Sequence, residues 1–86
     1  MLERRVTVAL AEGLHARPAA LFVKLAGEQP AKVTIRKDGG DPVATDSIFA
    51  LMTLGGALGD VVVLAADGDG AGVSLDALEG YLTTAD

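Results

Sequence analysis

Cysteine is absent from the chain, which excludes disulfides, thiolate nucleophiles and Cys-ligated zinc. Histidine occurs once, too seldom for a typical His-rich metal site, so neither a metal nor a cofactor is expected. Aromatic residues make up 3% of the chain, and the core must therefore be packed from Val, Leu, Ile and Ala. No apolar run approaches the roughly 18 residues of a membrane span. The opening Met1-Leu2-Glu3-Arg4-Arg5 lacks the apolar stretch of a secretion signal. A cytoplasmic protein without a membrane partner is expected. Basic residues are missing from the whole second half. All seven Lys and Arg lie between Arg4 and Lys37, and nine acidic residues follow from Asp38 onward. The net charge of −5 argues against nucleic acid, whose affinity comes mainly from phosphate neutralisation. The acidic half reads as a solubilising surface, which leaves any anion chemistry to the first half, where Arg17 and Lys24 lie.

What is present suffices for one domain, residues 1–86. Half of the 86 residues are apolar, enough for a single small core. Arg4–Leu10 alternates, with Val6, Val8 and Leu10 on one face, and predicts a half-buried strand. Ala11-Glu12-Gly13 forms a loop in which Gly13 can supply a positive φ. A helix is predicted over Ala16–Ala26, stopped at Gly27 with Pro30 beyond. Ala31–Lys37 alternates again through Val33 and Ile35. Asp38–Pro42 reads as a hairpin turn into a short strand at Val43–Ala44. Ser47–Leu54 reads as a short helix closed by Gly55-Gly56. The apolar run Asp60–Ala66 fits a strand in the middle of a sheet. After a glycine-rich loop at Asp67–Gly72, Val73–Thr83 carries Val73, Leu75, Leu78 and Leu82 near helical spacing. The order β-α-β-β-α-β-α predicts an α/β (α+β) two-layer, open-faced sandwich, and the pattern leaves strand order open.

The sharpest local signal is Gly13-Leu14-His15-Ala16-Arg17-Pro18-Ala19. Proline is favoured in a helix's first turn, where a missing N–H has no partner to lose. His15 is thus placed at or next to a helix N-terminus. There, unpaired amides and the positive end of the dipole form a ready anion site and disfavour a further positive charge. Arg17 adds a planar fork of donors suited to phosphate. The bland reading is an incidental helix-capping histidine beside a solvated arginine. The preceding glycine, the nearby arginine and the helix start fixed by Pro18 together favour function.

This segment resembles the active-site motif of the HPr family, the histidine-containing phosphocarriers of the bacterial phosphotransferase system. The resemblance implies a four-stranded antiparallel sheet with three helices on one face. It implies a stoichiometric carrier rather than an enzyme. The δ1 nitrogen of His15 would accept a phosphoryl group from enzyme I and pass it to sugar-specific IIA domains for sugar uptake. The phosphoryl oxygens are expected to take N–H bonds from Ala16 and Arg17, with the Arg17 side chain balancing charge. A monomer is expected.

Ser47-Ile48-Phe49-Ala50-Leu51-Met52-Thr53-Leu54 is apolar on nearly every side, which two layers cannot fully cover. Leu51 and Leu54 are assigned inward and Ile48, Phe49 and Met52 outward. On the first helix, Ala19, Phe22, Val23 and Ala26 form an inward stripe, while Arg17, Ala20, Leu21 and Lys24 form a second one continuous with His15. The resemblance makes the outward residues one docking surface for both partners. Many HPr proteins of Gram-positive bacteria carry a regulatory serine at the short helix's start, and Ser47 occupies the matching place. Asp46 stands where a lysine is often found, and like-charge repulsion there favours a helix cap over a phosphorylation switch.

Two other functions compete. An enzyme using His15 as a general base lacks a nucleophile motif or metal set beside it. A regulatory or nitrogen-related HPr paralogue would act mainly as a protein-binding module.

Overall fold

The computed structural model describes residues 1–84. Its strands are β1 (Leu2–Thr7), β2 (Val33–Lys37), β3 (Val43–Ala44) and β4 (Val61–Ala66). Its helices are α1 (Ala16–Gly27), α2 (Ile48–Leu54) and α3 (Ala71–Thr83), giving the expected order. All strand pairs are antiparallel, in the order β1-β4-β2-β3. The uninterrupted apolar run of β4 is explained by this position: paired on both sides, it presents one face to the helices and the other to flanking side chains.

One core joins the layers. Val62, Leu64 and Ala66 of β4, Val6 of β1, Val33 and Ile35 of β2, Phe22 of α1, Leu51 of α2 and Leu75, Leu78 and Leu82 of α3 are all buried in it. Each of these Val, Leu, Ile and Phe side chains contributes about 1.5–3 kcal/mol. On the open face, Val63 is only 2% exposed although no helix covers it. Its register neighbours are Arg5 and Arg36, and Arg5 reaches the β2–β3 turn through two bonds to Asp38 at 2.9 and 2.7 Å. The stems of long cationic side chains cover apolar surface in this way.

Several predicted boundaries shift. β1 runs from Leu2 to Thr7 rather than from Arg4 to Leu10, yet Val8 and Leu10 remain buried in the chain that follows. β2 begins at Val33 rather than Ala31. Gly27 is the last residue of α1 and Glu28 its C-cap. α3 begins at Ala71, two residues earlier than predicted, because Gly70 turns the chain with φ 82°. Ser74 secures that turn: its hydroxyl donates to Gly70 O at 2.8 Å and accepts from Ala31 N–H at 3.1 Å. Val73 departs from its predicted companions. It lies 64% exposed, since the buried stripe of α3 runs through Ala71, Ser74, Leu75, Leu78 and Leu82. Among the described residues, no helix is long and apolar enough to cross a membrane.

Candidate functional site

The chain leaving β1 is fastened before it reaches His15. Val8 N–H donates to Asp60 O at 2.9 Å, Ala9 N–H to Leu82 O at 2.8 Å, and Leu14 N–H to Gly56 O at 2.7 Å. Gly13 has φ 69°, and a Cβ there would lie 2.5 Å from Gly56 O. Leu14 is buried, 2% exposed, with its side chain against Gly56. The glycine pair at 55–56, legible in the sequence only as a helix stop, is thus also the bed for the histidine loop. Asp60 braces it from behind, accepting Ala57 N–H at 3.0 Å and holding Lys37 Nζ at 3.1 Å. These two partners, the amide first, keep the Asp60 carboxyl below its ordinary range.

His15 is the N-cap of α1, extended at φ −128° and ψ 149°, and its side chain makes no capping bond. The ring is exposed. It lines a hollow of about 220 Å³ with Met52 and residues 55–57. The first intrahelical bond is Ala19 N–H to His15 O at 3.4 Å, and Pro18 carries no N–H. Among the described residues, the amides of Ala16 and Arg17 donate no backbone hydrogen bond, as expected of a first turn. Ala16 itself holds a φ of 37°, the one left-handed non-glycine among the described residues. Such a conformation costs about 1–2 kcal/mol for a residue with a Cβ. The Arg17 side chain is exposed and lines a second hollow, of about 380 Å³, with Pro18, Leu21 and Tyr81. Tyr81 donates to Pro18 O at 2.9 Å, and its ring lies 6.0 Å from that of Phe22. This strap from α3 onto the first turn of α1 gave no signal in the sequence.

Around this point the helices expose apolar side chains. On α1, Ala20, Leu21 and Lys24 are exposed while Ala19 and Phe22 are buried. On α2, Phe49 is 80% exposed, Ile48 42% and Met52 38%, whereas Leu51 is fully buried and Leu54 is partly buried against the core. Ser47 caps α2: its Oγ accepts Ala50 N–H at 3.1 Å. Among the described residues, no cluster of three or more His, Cys, Asp or Glu side chains is arranged to hold a metal ion. An accessible imidazole beside two amides that donate no backbone bond and an exposed guanidinium suits the reception of a phosphoryl-sized anion.

Comparison with known proteins agrees with that chemistry. The family model described as the PTS HPr component phosphorylation site matches residues 2–84. The chain is 49% identical over 78 residues to the phosphocarrier protein HPr of Streptomyces coelicolor, covering 91% of this chain and 84% of that protein. It is 45% identical over 84 residues to the phosphocarrier protein HPr of Haloferax volcanii, covering 96% and 94%. The crystal structure of a phosphocarrier protein HPr from Bacillus anthracis superimposes with a TM-score of 0.88 at 40% identity, covering 94% of this chain and 95% of that one.

Proposed function

The chain belongs to the HPr family of phosphotransferase-system proteins, and from that premise we propose that it is a cytoplasmic, monomeric phosphoryl carrier working through His15. The observation that carries this reading is the exposed, unbonded imidazole at the start of α1 beside the free amides of Ala16 and Arg17. In the proposed cycle, the lone pair of His15 Nδ1 attacks the phosphorus carried by enzyme I. The donor's N–P bond breaks, and its electron pair stays on the donor nitrogen. The chemistry needs positioning and charge stabilisation more than covalent assistance. The Ala16 and Arg17 amides receive the phosphoryl oxygens, and the Arg17 guanidinium swings over them. The same exchange then delivers the group to a IIA domain for sugar uptake.

Both partners would use one surface, built from Ala20, Leu21 and Lys24 of α1 with Ile48, Phe49 and Met52 of α2. Sharing a small apolar patch keeps each encounter brief, as a shuttle requires. The chain is consumed and regenerated stoichiometrically and so acts as a carrier rather than as an enzyme. Ser47 is read as a cap in this proposal.

The test is incubation with phosphoenolpyruvate and catalytic enzyme I. A phosphorylated species that is labile in acid and stable in base is expected, absent in His15→Ala, and able to discharge onto a IIA domain. A wild-type chain that stays unmodified, or a His15→Ala variant that still accepts phosphate, refutes the reading. Phosphorylation without discharge would favour the protein-binding paralogue.

A further inference from the structure

The loop before the histidine carries an acid that the proposed cycle does not use. Glu12 is exposed and lines both hollows at the site, the one bounded by His15 and Met52 and the one bounded by Arg17 and Tyr81. Among the described residues it is the only acidic one lining either. Among the described residues its carboxylate makes neither a hydrogen bond nor an ion pair, so no fixed cation neutralises it. Asp38, Asp60, Asp76 and other acids of the chain are engaged with basic side chains or backbone amides. Glu3, Glu28, Asp41, Asp46 and Asp69 are unpaired as well among the described residues, and Glu12 is the one that lies where the proposed function puts a dianionic group.

We infer that Glu12 is a tuning residue: its carboxylate, set between His15 and Arg17, repels a phosphoryl group on His15 and so keeps that group ready for onward transfer. The inference rests on the carrier reading and deepens it. A charge fixed beside the site raises the free energy of the phosphorylated chain relative to the free one. Glu12, His15 and Arg17 are all exposed, so solvent screens the interaction and the effect is modest, about threefold at low ionic strength, and it fades as salt shortens the screening length.

Phosphoramidate is a suitable probe because it needs no partner protein. Its P–N bond breaks, ammonia leaves with that bond's electron pair, and the imidazole lone pair forms the new N–P bond. With this anionic donor at low salt, Glu12→Gln should be phosphorylated on His15 about threefold faster than the wild type, and the two rates should converge near 1 M salt. Glu12→Asp, which keeps the charge, should follow the wild type. Glu28→Gln, which removes an acid at the opposite end of α1, should leave the rate unchanged. With catalytic enzyme I, the same Glu12→Gln substitution should shift the phosphoryl equilibrium about threefold toward the phosphorylated chain. Equal rates for wild type and Glu12→Gln at low salt, or a gap that persists in high salt, would overturn the inference. If enzyme I leaves the wild type unmodified, the carrier reading fails, and the phosphoramidate rates still decide the role of Glu12.

Discussion

Replacing Gly13 with alanine tests how firmly the histidine loop is seated. Two penalties apply. A φ of 69° costs about 1–2 kcal/mol for a residue with a Cβ. The new Cβ would also sit 2.5 Å from Gly56 O and 2.9 Å from Ala57 Cα. Both are backbone atoms, so the strand of chain at 56–57 must move, and overpacking of this kind costs about 1–3 kcal/mol. Alanine's smaller loss of chain entropy returns about 0.4–1 kcal/mol. The net is about 1–5 kcal/mol of destabilisation, and in a domain of this size each kcal/mol lowers Tm by roughly 4–8 °C. Gly59→Ala separates the two penalties, because Gly59 has φ 89° and open space around its Cβ. Urea unfolding followed by far-UV circular dichroism should show Gly13→Ala at least about 1 kcal/mol less stable than Gly59→Ala, with similar m values. The displaced backbone is the one that accepts Leu14 N–H, so His15 phosphorylation should slow even at temperatures where the variant is folded. Equal stability losses for the two glycines, or an unchanged phosphorylation rate in folded Gly13→Ala, would refute the claim that residues 56–57 seat the loop.

Four further outcomes are expected. Ser47→Ala removes the bond to Ala50 N–H and should lower stability by about 1 kcal/mol in urea unfolding. Arg17→Lys keeps the charge but loses the bidentate fork, so stopped-flow transfer from enzyme I should slow about tenfold; an unchanged rate makes Arg17 a bystander. Lys24→Glu and Met52→Glu alter exposed side chains and should weaken binding of both enzyme I and a IIA domain in titration calorimetry without shifting Tm. Asp38, next to Arg5, and Asp60, next to Ala57 N–H and Lys37, both have carboxyls held below their ordinary range. Their contribution is therefore present above the unfolded carboxylate range near pH 4 and is lost as pH falls through the lower folded values. Asp38→Asn and Asp60→Asn should each flatten the acid limb of stability against pH, and a limb as steep as wild type would remove these groups from the account.

How legible each feature was depends on how local its cause is. The alternation around Val6 and the run at β4 announced strands because burial of one face or two writes itself into neighbouring residues, although Val8 and Leu10 carry that alternation past the end of β1. The helix start at His15 was legible for the same reason: Pro18 and the apolar stripe through Ala19 and Phe22 lie within two turns of it. The exposed Ile48, Phe49 and Met52 followed from counting layers. Causes that lie far along the chain left no trace. Strand order depends on which edges meet in space. The early start of α3 depends on Ser74 reaching Ala31, and Val63 is covered by arginines from two other strands. The left-handed φ of Ala16 is hidden because alanine, unlike glycine or asparagine, gives no sign of it.

These hidden features converge on the histidine. A carrier has to present its reactive ring to partner proteins, and the exposed ring of His15 makes no capping bond, so orientation must come from the backbone beneath. Three contacts from two parts of the chain supply it here: the bed at residues 56–57 under Leu14 and, from α3, the Tyr81 hydroxyl on Pro18 O and Leu82 O on the Ala9 amide. All three act on atoms behind the site and leave the imidazole and the first-turn amides without a capping or backbone bond. An arrangement that fixed the ring by a bond to the reacting nitrogen would occupy the lone pair the chemistry needs. Holding the backbone and leaving the ring free meets both demands, and it accounts for a strained alanine being kept at the one point where the rigid loop and the open helix end must join.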